Sequence, residues 1–412
     1  MRVLPALGGV VRIPRFEREV VAEGLTDGYW IEALDLDGSG RPGLLTSGLA
    51  EGVVRWYENP GAQRSSWKPH TIAELSQPVA FAAADLTGTG SLDLVVCHDY
   101  GESMYAHKPD DGTISWLRNP GDPRGSGPWE RRRIGGLVSA HRLRVGHFTR
   151  ADRLQLLALP VVGGAGGRAG LAQPARVTVF DVPEDPLSAA DWRVSAVDDA
   201  SFTVLHDYTV QGTDAAGRQR LAVASAEGLS DYAWDDARGT WSARRFGLGE
   251  QGQREATGFG GSSSVALGTS HGSRFAAAVE PFHGNTVAAY TRTAGADTWQ
   301  RTVLDVYGDP NEAGEGPGHH VVAADFDGDG DDEFLVALRG PAPWQGVYYY
   351  KAVDAAAGLW VKQRVSEDSA ARIAVADFNG DGRPDFATIG YYTPGYFLAK
   401  DPVVAVFHNL GS

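Results

Sequence analysis

Eleven histidines are spread over 412 residues, and three of them stand at the same slot of a repeated unit, each followed by another ionisable residue: His141-Arg142, His206-Asp207 and His319-His320. Gathered in one cavity, such side chains suit proton abstraction next to a carbonyl. An imidazole or phenol takes and returns the proton, and a guanidinium, or a metal held by imidazole and carboxylate, stabilises the enolate-like charge. With an acid to protonate the departing oxygen, the outcome is β-elimination of water or of a glycosyl group from a keto sugar or uronate. No organic cofactor is required, and none is signalled: the chain has no G-x-G-x-x-G at a strand–helix turn, no Walker loop and no G-x-S-x-G elbow. A single histidine at a strand start is more often a satisfied turn residue than a catalyst. Three in one slot of a repeated unit need another reason.

A second pattern is acidic. Asp325, Asp327, Asp329 and Glu333 fall at positions 1, 3, 5 and 9 of a turn with Gly330 at position 6, and Asp377, Asn379, Asp381, Gly382 and Asp385 repeat it. Asp331 and Arg383, at position 7, are counted with the two sets. Alternate oxygens around a tight turn converge on one point, which suits a hard cation, Ca²⁺ or Mg²⁺. The bidentate Glu of an EF-hand at position 12 is absent. The bland alternative is an Asx-type turn that needs no metal.

These residues sit on a repeat. ALDLDGSGRPGLLTSG (33–48), AADLTGTGSLDLVVCH (83–98), AADFDGDGDDEFLVAL (323–338) and VADFNGDGRPDFATIG (375–390) each read as strand, Gly-rich turn, strand. A third strand follows (53–61, 113–121, 346–354), and a Trp leads a fourth: Trp67, Trp129, Trp192, Trp241, Trp299 and Trp360. The frame continues through the degenerate stretches 141–160, 206–225 and 262–281. Asp35 and Asp377 are 342 residues apart, which over six steps is 57 residues per unit. Seven four-stranded units of this length predict an all-β, seven-bladed β-propeller occupying 1–412 as one domain. The last unit lacks a Trp-led strand, and residues 15–24 (RFEREVVAEG) match that pattern without a unit of their own. They are expected to close the ring as its outer strand. The stretch 161–170 reads as a loop inside the third blade.

Blade polarity places the strand-one entries on the face opposite the aspartate turns. Those entries are Tyr29/Trp30, Val79/Ala80, His141/Arg142, His206/Asp207, Ser262/Ser263, His319/His320 and Ala371/Arg372. The exits of strand two add His98, Asp99 and Tyr100, then Glu280 and His283, Arg339, and Tyr391 with Tyr392. All are expected around one central depression, with Arg142, Arg339 or Arg372 facing the developing charge and a further metal conceivable there. Tyr29, Trp30, Tyr391 and Tyr392 break the repeat and suit stacking on a sugar ring. His107 and His147 read as structural, His70 and His408 as solvated residues of outer strands, and Cys97 as an inert buried thiol.

Composition narrows the partners. Lys and Arg number 37 against 52 Asp and Glu, a net charge of −15, which repels nucleic acid and anionic membranes alike. One cysteine rules out an internal disulfide and a Cys₄ zinc site. No run of about 18 apolar residues offers a membrane span. The first twenty residues lack a signal-peptide pattern, so the expected address is the cytoplasm, with secretion left open.

The aspartate turns resemble the FG-GAP (VCBS) propeller repeats of integrin heads, some fungal lectins and some carbohydrate lyases. HDYG (98–101), ISWLRNPGD (114–122), HRLRVGHFT (141–149), GHHVVAADFDGDGDDE (318–333) and the last blade are similar to the propeller of aldos-2-ulose dehydratases and of rhamnose–glucuronate lyases. The resemblance implies a sugar dehydratase or lyase. It places catalysis on His98, His141, Arg142, His206, His319, His320 and Tyr391, with acid and base unassigned. Tyr29, Trp30, Asp99, Tyr100, Glu280, His283, Arg339, Arg372 and Tyr392 are then substrate contacts. The cupin part of the full dehydratase has no counterpart in these residues, so an isomerase step dependent on it is not expected. A glycan-binding module without chemistry and a protein-interaction scaffold are the other two classes. Oligomeric state is not legible.

Overall fold

Short β-rich segments separated by Gly-rich turns can bury their apolar faces only by stacking sheet on sheet. In the computed structural model, which describes residues 11–61, 66–125, 127–165, 167–292 and 298–412, they form seven antiparallel four-stranded sheets arranged as the blades of a propeller. The first ten residues, on which the signal-peptide reading partly rests, lie outside the described set. Strand one of each blade lines the axis: Trp30–Leu34, Ala80–Ala84, Ala140–Gly146, Leu205–Thr213, Ser264–Ser270, Gly318–Ala324 and Arg372–Ala376. Strand two is sandwiched between neighbouring blades. Gly43–Ser47, Asp93–His98, Gln155–Pro160, Glu333–Arg339 and Asp385–Ile389 are buried along their whole length, and so read as continuous apolar runs.

The seventh blade takes its fourth strand from the other end of the chain. Phe16–Glu23 pairs antiparallel with Val403–Asn409, Phe16 opposite Asn409. This closes the ring and covers an edge that would otherwise be unpaired. His408 lies in that third strand. The expectation that it is a solvated outer-strand residue is corrected: its ring is held by Glu19 at 2.7 Å and by Asp385 at 3.4 Å. His70 does lie in an outer strand, but it is paired with Glu58 at 3.2 Å rather than free in solvent.

Two repeated devices fix the blades. Glycine stands at the start of strand three where the end of strand four crosses it. Gly52, Gly112, Gly228 and Gly346 all have positive φ, and an added Cβ would fall 1.9 to 2.3 Å from a backbone oxygen of the neighbouring strand. Asparagine stands at or just beyond the end of strand three. Asn59, Asn119 and Asn409 each donate to a carbonyl in the preceding blade's aspartate turn, Phe378 O at 2.9 Å, Leu36 O at 3.1 Å and Phe326 O at 2.7 Å.

Candidate active site and metal centre

Strand one approaches the axis with a kink. Ala140 and Arg142 pair with adjacent residues of strand two, as do Leu205 and Asp207 and Gly318 and His320, so His141, His206 and His319 each occupy a β-bulge. A bulge turns successive side chains away from strict alternation, and here it sends three imidazoles inward. Ring centroids lie 4.9 Å apart for His141–His206 and 5.4 Å for His206–His319. His283 joins them from the fifth blade, 4.8 Å from His206 and 4.9 Å from His319. It has φ 41°, a left-handed backbone that an ordinary residue avoids, in a turn closed by its carbonyl accepting Gly316 N–H at 2.5 Å.

The hydrogen bonds fix the tautomers. His206 Nδ1 donates to Ser263 O at 2.8 Å, His319 Nδ1 to Ala371 O, and His283 Nδ1 to Glu315 Oε2 at 3.2 Å. Each Nε2 is therefore left with its lone pair. His206 and His283 set their Nε2 atoms 3.1 Å apart, and His319 Nε2 is buried without a hydrogen-bond partner among the described residues. One nitrogen from each of the three rings lies within 4.8 Å of the others. Lone pairs aimed at one another repel unless a proton or a cation sits between them, and an outward N–H on a carbonyl or carboxylate is how metal-binding histidines are oriented. Three imidazoles with one further position open suit Zn²⁺ or a similar borderline ion, bonded at about 2.0–2.1 Å.

Burial holds all these imidazoles neutral. His141, His206 and His319 are pushed well below the ordinary value, first by desolvation and then by nearby positive charge, and His283 is pushed down to about 4 by burial and then by Arg339. Glu315, 4% exposed, is ionised: burial would raise it, but His283 and Arg339 together hold it below the carboxylate range. Arg339 Nη2 donates to it at 2.6 Å, and the Tyr396 hydroxyl caps it. Tyr396 also accepts from Arg339 at 3.0 Å. It comes from a hairpin (Tyr392–Thr393 with Phe397–Leu398) inserted before the last blade's third strand.

His141 makes a different set of contacts. Arg142 Nη1 donates to its Nδ1 at 2.8 Å, which leaves Nε2–H to donate to the Tyr29 hydroxyl at 2.8 Å. Tyr29 packs edge-on against Tyr391, 5.6 Å between centroids, and Tyr391 lies 5.0 Å from His319 and under the guanidinium of Arg339. Tyr100 borders His141 at 6.0 Å.

The remaining candidates lie elsewhere. His98 is tied within its own blade, to Ser115 at 2.9 Å and Asp99 at 3.0 Å. Glu280 is consumed by Tyr290 at 2.5 Å and Arg301 at 2.7 Å. His320 points to the next layer, accepting Ile373 N–H at 3.2 Å, with Asp207 at 3.8 Å. Arg142, Trp30 and Arg372 line that layer too. Tyr392 forms a backbone bridge to Gly28. Glu315 and Tyr396 were not anticipated. Both lie in insertions outside the repeat, and the only signal was a tyrosine closing YYTPGY (391–396) and an acid in the Gly-rich stretch 308–318.

At the sixth aspartate turn, the ammonium of Lys351 meets Asp327 at 2.7 Å, Asp329 at 2.7 Å and Glu333 at 2.8 Å, while Asp325 accepts N–H groups of its own turn. Asp331 turns outward to the fifth blade, accepting His271 N–H at 2.8 Å. At the seventh, Asp377 accepts from Gly380 at 2.7 Å and Gly382 at 2.8 Å, and Asn379 accepts Asp381 N–H at 2.9 Å. Arg383 pairs with Asp381 and reaches Asn409 O, while Asp385 accepts Asn409 N–H at 2.7 Å.

Residues 111–293 match the family described as aldos-2-ulose dehydratase, beta-propeller domain. The chain is 37% identical over 425 aligned positions to the aldos-2-ulose dehydratase of Phanerodontia chrysosporium. That alignment covers 97% of this chain and 46% of the relative, so the chain spans about half the relative's length. Among solved structures, two crystals of BBS1N in complex with ARL6DN, soaked with mercury and with lead, superpose with a TM-score of 0.54 at 12% and 14% identity. They cover 95% and 97% of both chains respectively and share the fold alone.

Proposed function

We propose that this propeller is a sugar dehydratase that eliminates water from a keto sugar, and that its reaction centre is the buried cluster His206–His283–His319 with Tyr29 and His141 beside it. The observation that carries the reading is the fixed tautomers: three Nε2 lone pairs converge, and each opposite N–H is held by a carbonyl or by Glu315. The similarity to an aldos-2-ulose dehydratase supports the same chemistry.

In this reading the three imidazoles hold a divalent ion, whose chemistry when bound is to polarise the substrate carbonyl. Their lone pairs are then engaged, and proton handling falls to Tyr29. Its oxygen accepts the N–H of His141, and Arg142 stands behind that ring. So placed, Tyr29 takes the proton from the carbon next to the carbonyl and returns it to the departing hydroxyl. One C–H and one C–O bond break, a C=C bond forms, and water leaves. Arg339 and Tyr391 border the site on the side of the inserted hairpin and orient the sugar ring.

The test is ultraviolet absorbance on incubation with 1,5-anhydrofructose and other keto sugars. An enone band is expected to grow, to be lost after dialysis against a strong chelator, and to return with Zn²⁺. Tyr29→Phe is expected to abolish it while leaving metal content unchanged. Sugar binding without any absorbance change would replace the enzyme with a lectin.

A further inference from the structure

Behind the histidine cluster the axis does not close. A cavity of about 610 Å³ runs along strand one of five blades on the side of the aspartate turns. Its charged walls are Glu32, Arg142, Arg144, Asp207 and Arg372. Three guanidinium groups thus face two carboxylates.

Pairing does not remove the imbalance. Asp207 is bound by Arg142 at 3.3 Å and by the Ser264 hydroxyl at 2.6 Å. Glu32 accepts from the Trp30 indole N–H at 3.4 Å; burial raises it, and the nearby charges of Arg372 and Arg144 offset only part of that. Arg372 stacks on Trp30 with 4.0 Å from its guanidinium carbon to the ring centre, and its Nε and Nη1 have no hydrogen-bond partner among the described residues. Among the described residues, Arg142, 2% exposed, leaves Nη2 without a hydrogen-bond partner, and Arg144 leaves Nε. A buried guanidinium without a counter-charge is costly, and an unpaired donor there adds to the cost. Arg372 is accordingly pushed down to about 10, by burial and then by Arg142.

We infer that this axial channel is a binding site for a small oxyanion of the phosphate or sulfate class, held between Arg142, Arg372 and Arg144 on the far side of the His206–His283–His319 cluster. Planar guanidinium groups meet such oxygens two at a time. Trp30 sets the plane of Arg372. Free inorganic anion and the phosphate group of a sugar ester share this chemistry, and the second brings a bulky ring into a channel lined by Ile31, Ala82 and Val145. Arg142 also donates to His141, so an occupied channel touches the reaction centre through one side chain.

The experiment is calorimetry and thermal melting of the whole protein with sodium phosphate, sodium sulfate and glucose 6-phosphate, at ionic strength fixed with chloride. Saturable phosphate binding with a rise in Tm is expected. Arg372→Gln and Arg144→Gln are each expected to weaken it about tenfold, one charge-assisted contact apiece. Arg144 is half-buried at the channel wall, so its variant remains informative if the Arg372 change unfolds the protein. A selenate soak should place its anomalous peak between Arg142 and Arg372. Tighter binding of the ester than of phosphate would identify the ester as the ligand of the same site. No saturable binding, binding unchanged in both variants, or a selenate peak only at the histidine cluster would each overturn the inference.

Discussion

Glu315 shows how one residue outside every repeat organises the centre. Its carboxylate accepts from His283, Arg339 and Tyr396 and fixes which nitrogen of His283 faces the cluster. Glu315→Gln keeps the size but loses the charge. Metal affinity, read by competition with a chromophoric chelator, is expected to fall about 10- to 100-fold, the usual effect of losing such a supporting contact. Unchanged affinity would detach Glu315 from the metal reading. Tyr396→Phe removes only the hydroxyl that caps the carboxylate, and a smaller loss of affinity is expected. Two of the three imidazoles that the repeat exposed, His141 and His206, differ in outcome because of a neighbour each. Arg142 turns His141 toward Tyr29, whereas Ser263 O turns His206 toward the cluster. Arg142 is the next residue in the chain, whereas Ser263 lies 57 residues on, so the second outcome is decided by tertiary contact alone.

The elements carry two further predictions. At the sixth turn the Lys351 ammonium supplies the positive charge on which Asp327, Asp329 and Glu333 converge. Lys351→Met would leave those carboxylates facing one another. A loss of about 1–3 kcal/mol by urea unfolding is expected, moderated by the exposure of Asp329, and added Ca²⁺ is expected to restore part of it. A variant as stable as the wild type, with no response to Ca²⁺, would show that the turn holds itself by its own N–H bonds. Between blades, Asn119 donates to Leu36 O in the first blade and to Leu92 O at 3.0 Å in its own, and it is buried. Asn119→Ala leaves two carbonyls without their donor, and about 1–3 kcal/mol of stability should be lost. An effect below a few tenths of a kcal/mol would mean water replaces the amide. The recurrence of Asn-Pro-Gly at 59–61 and 119–121 is plain in the sequence, but its partner lies one blade away and so is read only from the fold.

At the scale of the whole molecule, His408 reinforces the closing strand, joining Glu19 of the N-terminal strand to Asp385 of the seventh blade. Hydrogen bonds to Asp385 and Glu19 raise it from 6.5 to about 9, with burial working against them. A raised folded-state value means the protonated form stabilises the fold. That contribution is complete below about pH 6.5 and is lost as pH rises through about 9. The Tm difference between wild type and His408→Asn should therefore be large at pH 6 and shrink by pH 9.5. A difference independent of pH would assign His408 to packing alone. Blade number, ring closure by residues 15–24 and the histidine slot at strand entry were legible because a repeat states the same local rule seven times. Period-two burial, turn glycines and a leading Trp are consequences of neighbours along the chain. The grouping of His206, His283 and His319 was not legible as a triad, nor the removal of His98 and Glu280 from it. Those depend on bulges, a left-handed turn and two insertions, which set side-chain directions by contacts between residues 32 to 113 positions apart. Sequence determined the blades and the histidine slot at strand entry, and only the packed tertiary structure decided which candidates meet at the axis and which nitrogen of each faces its neighbours.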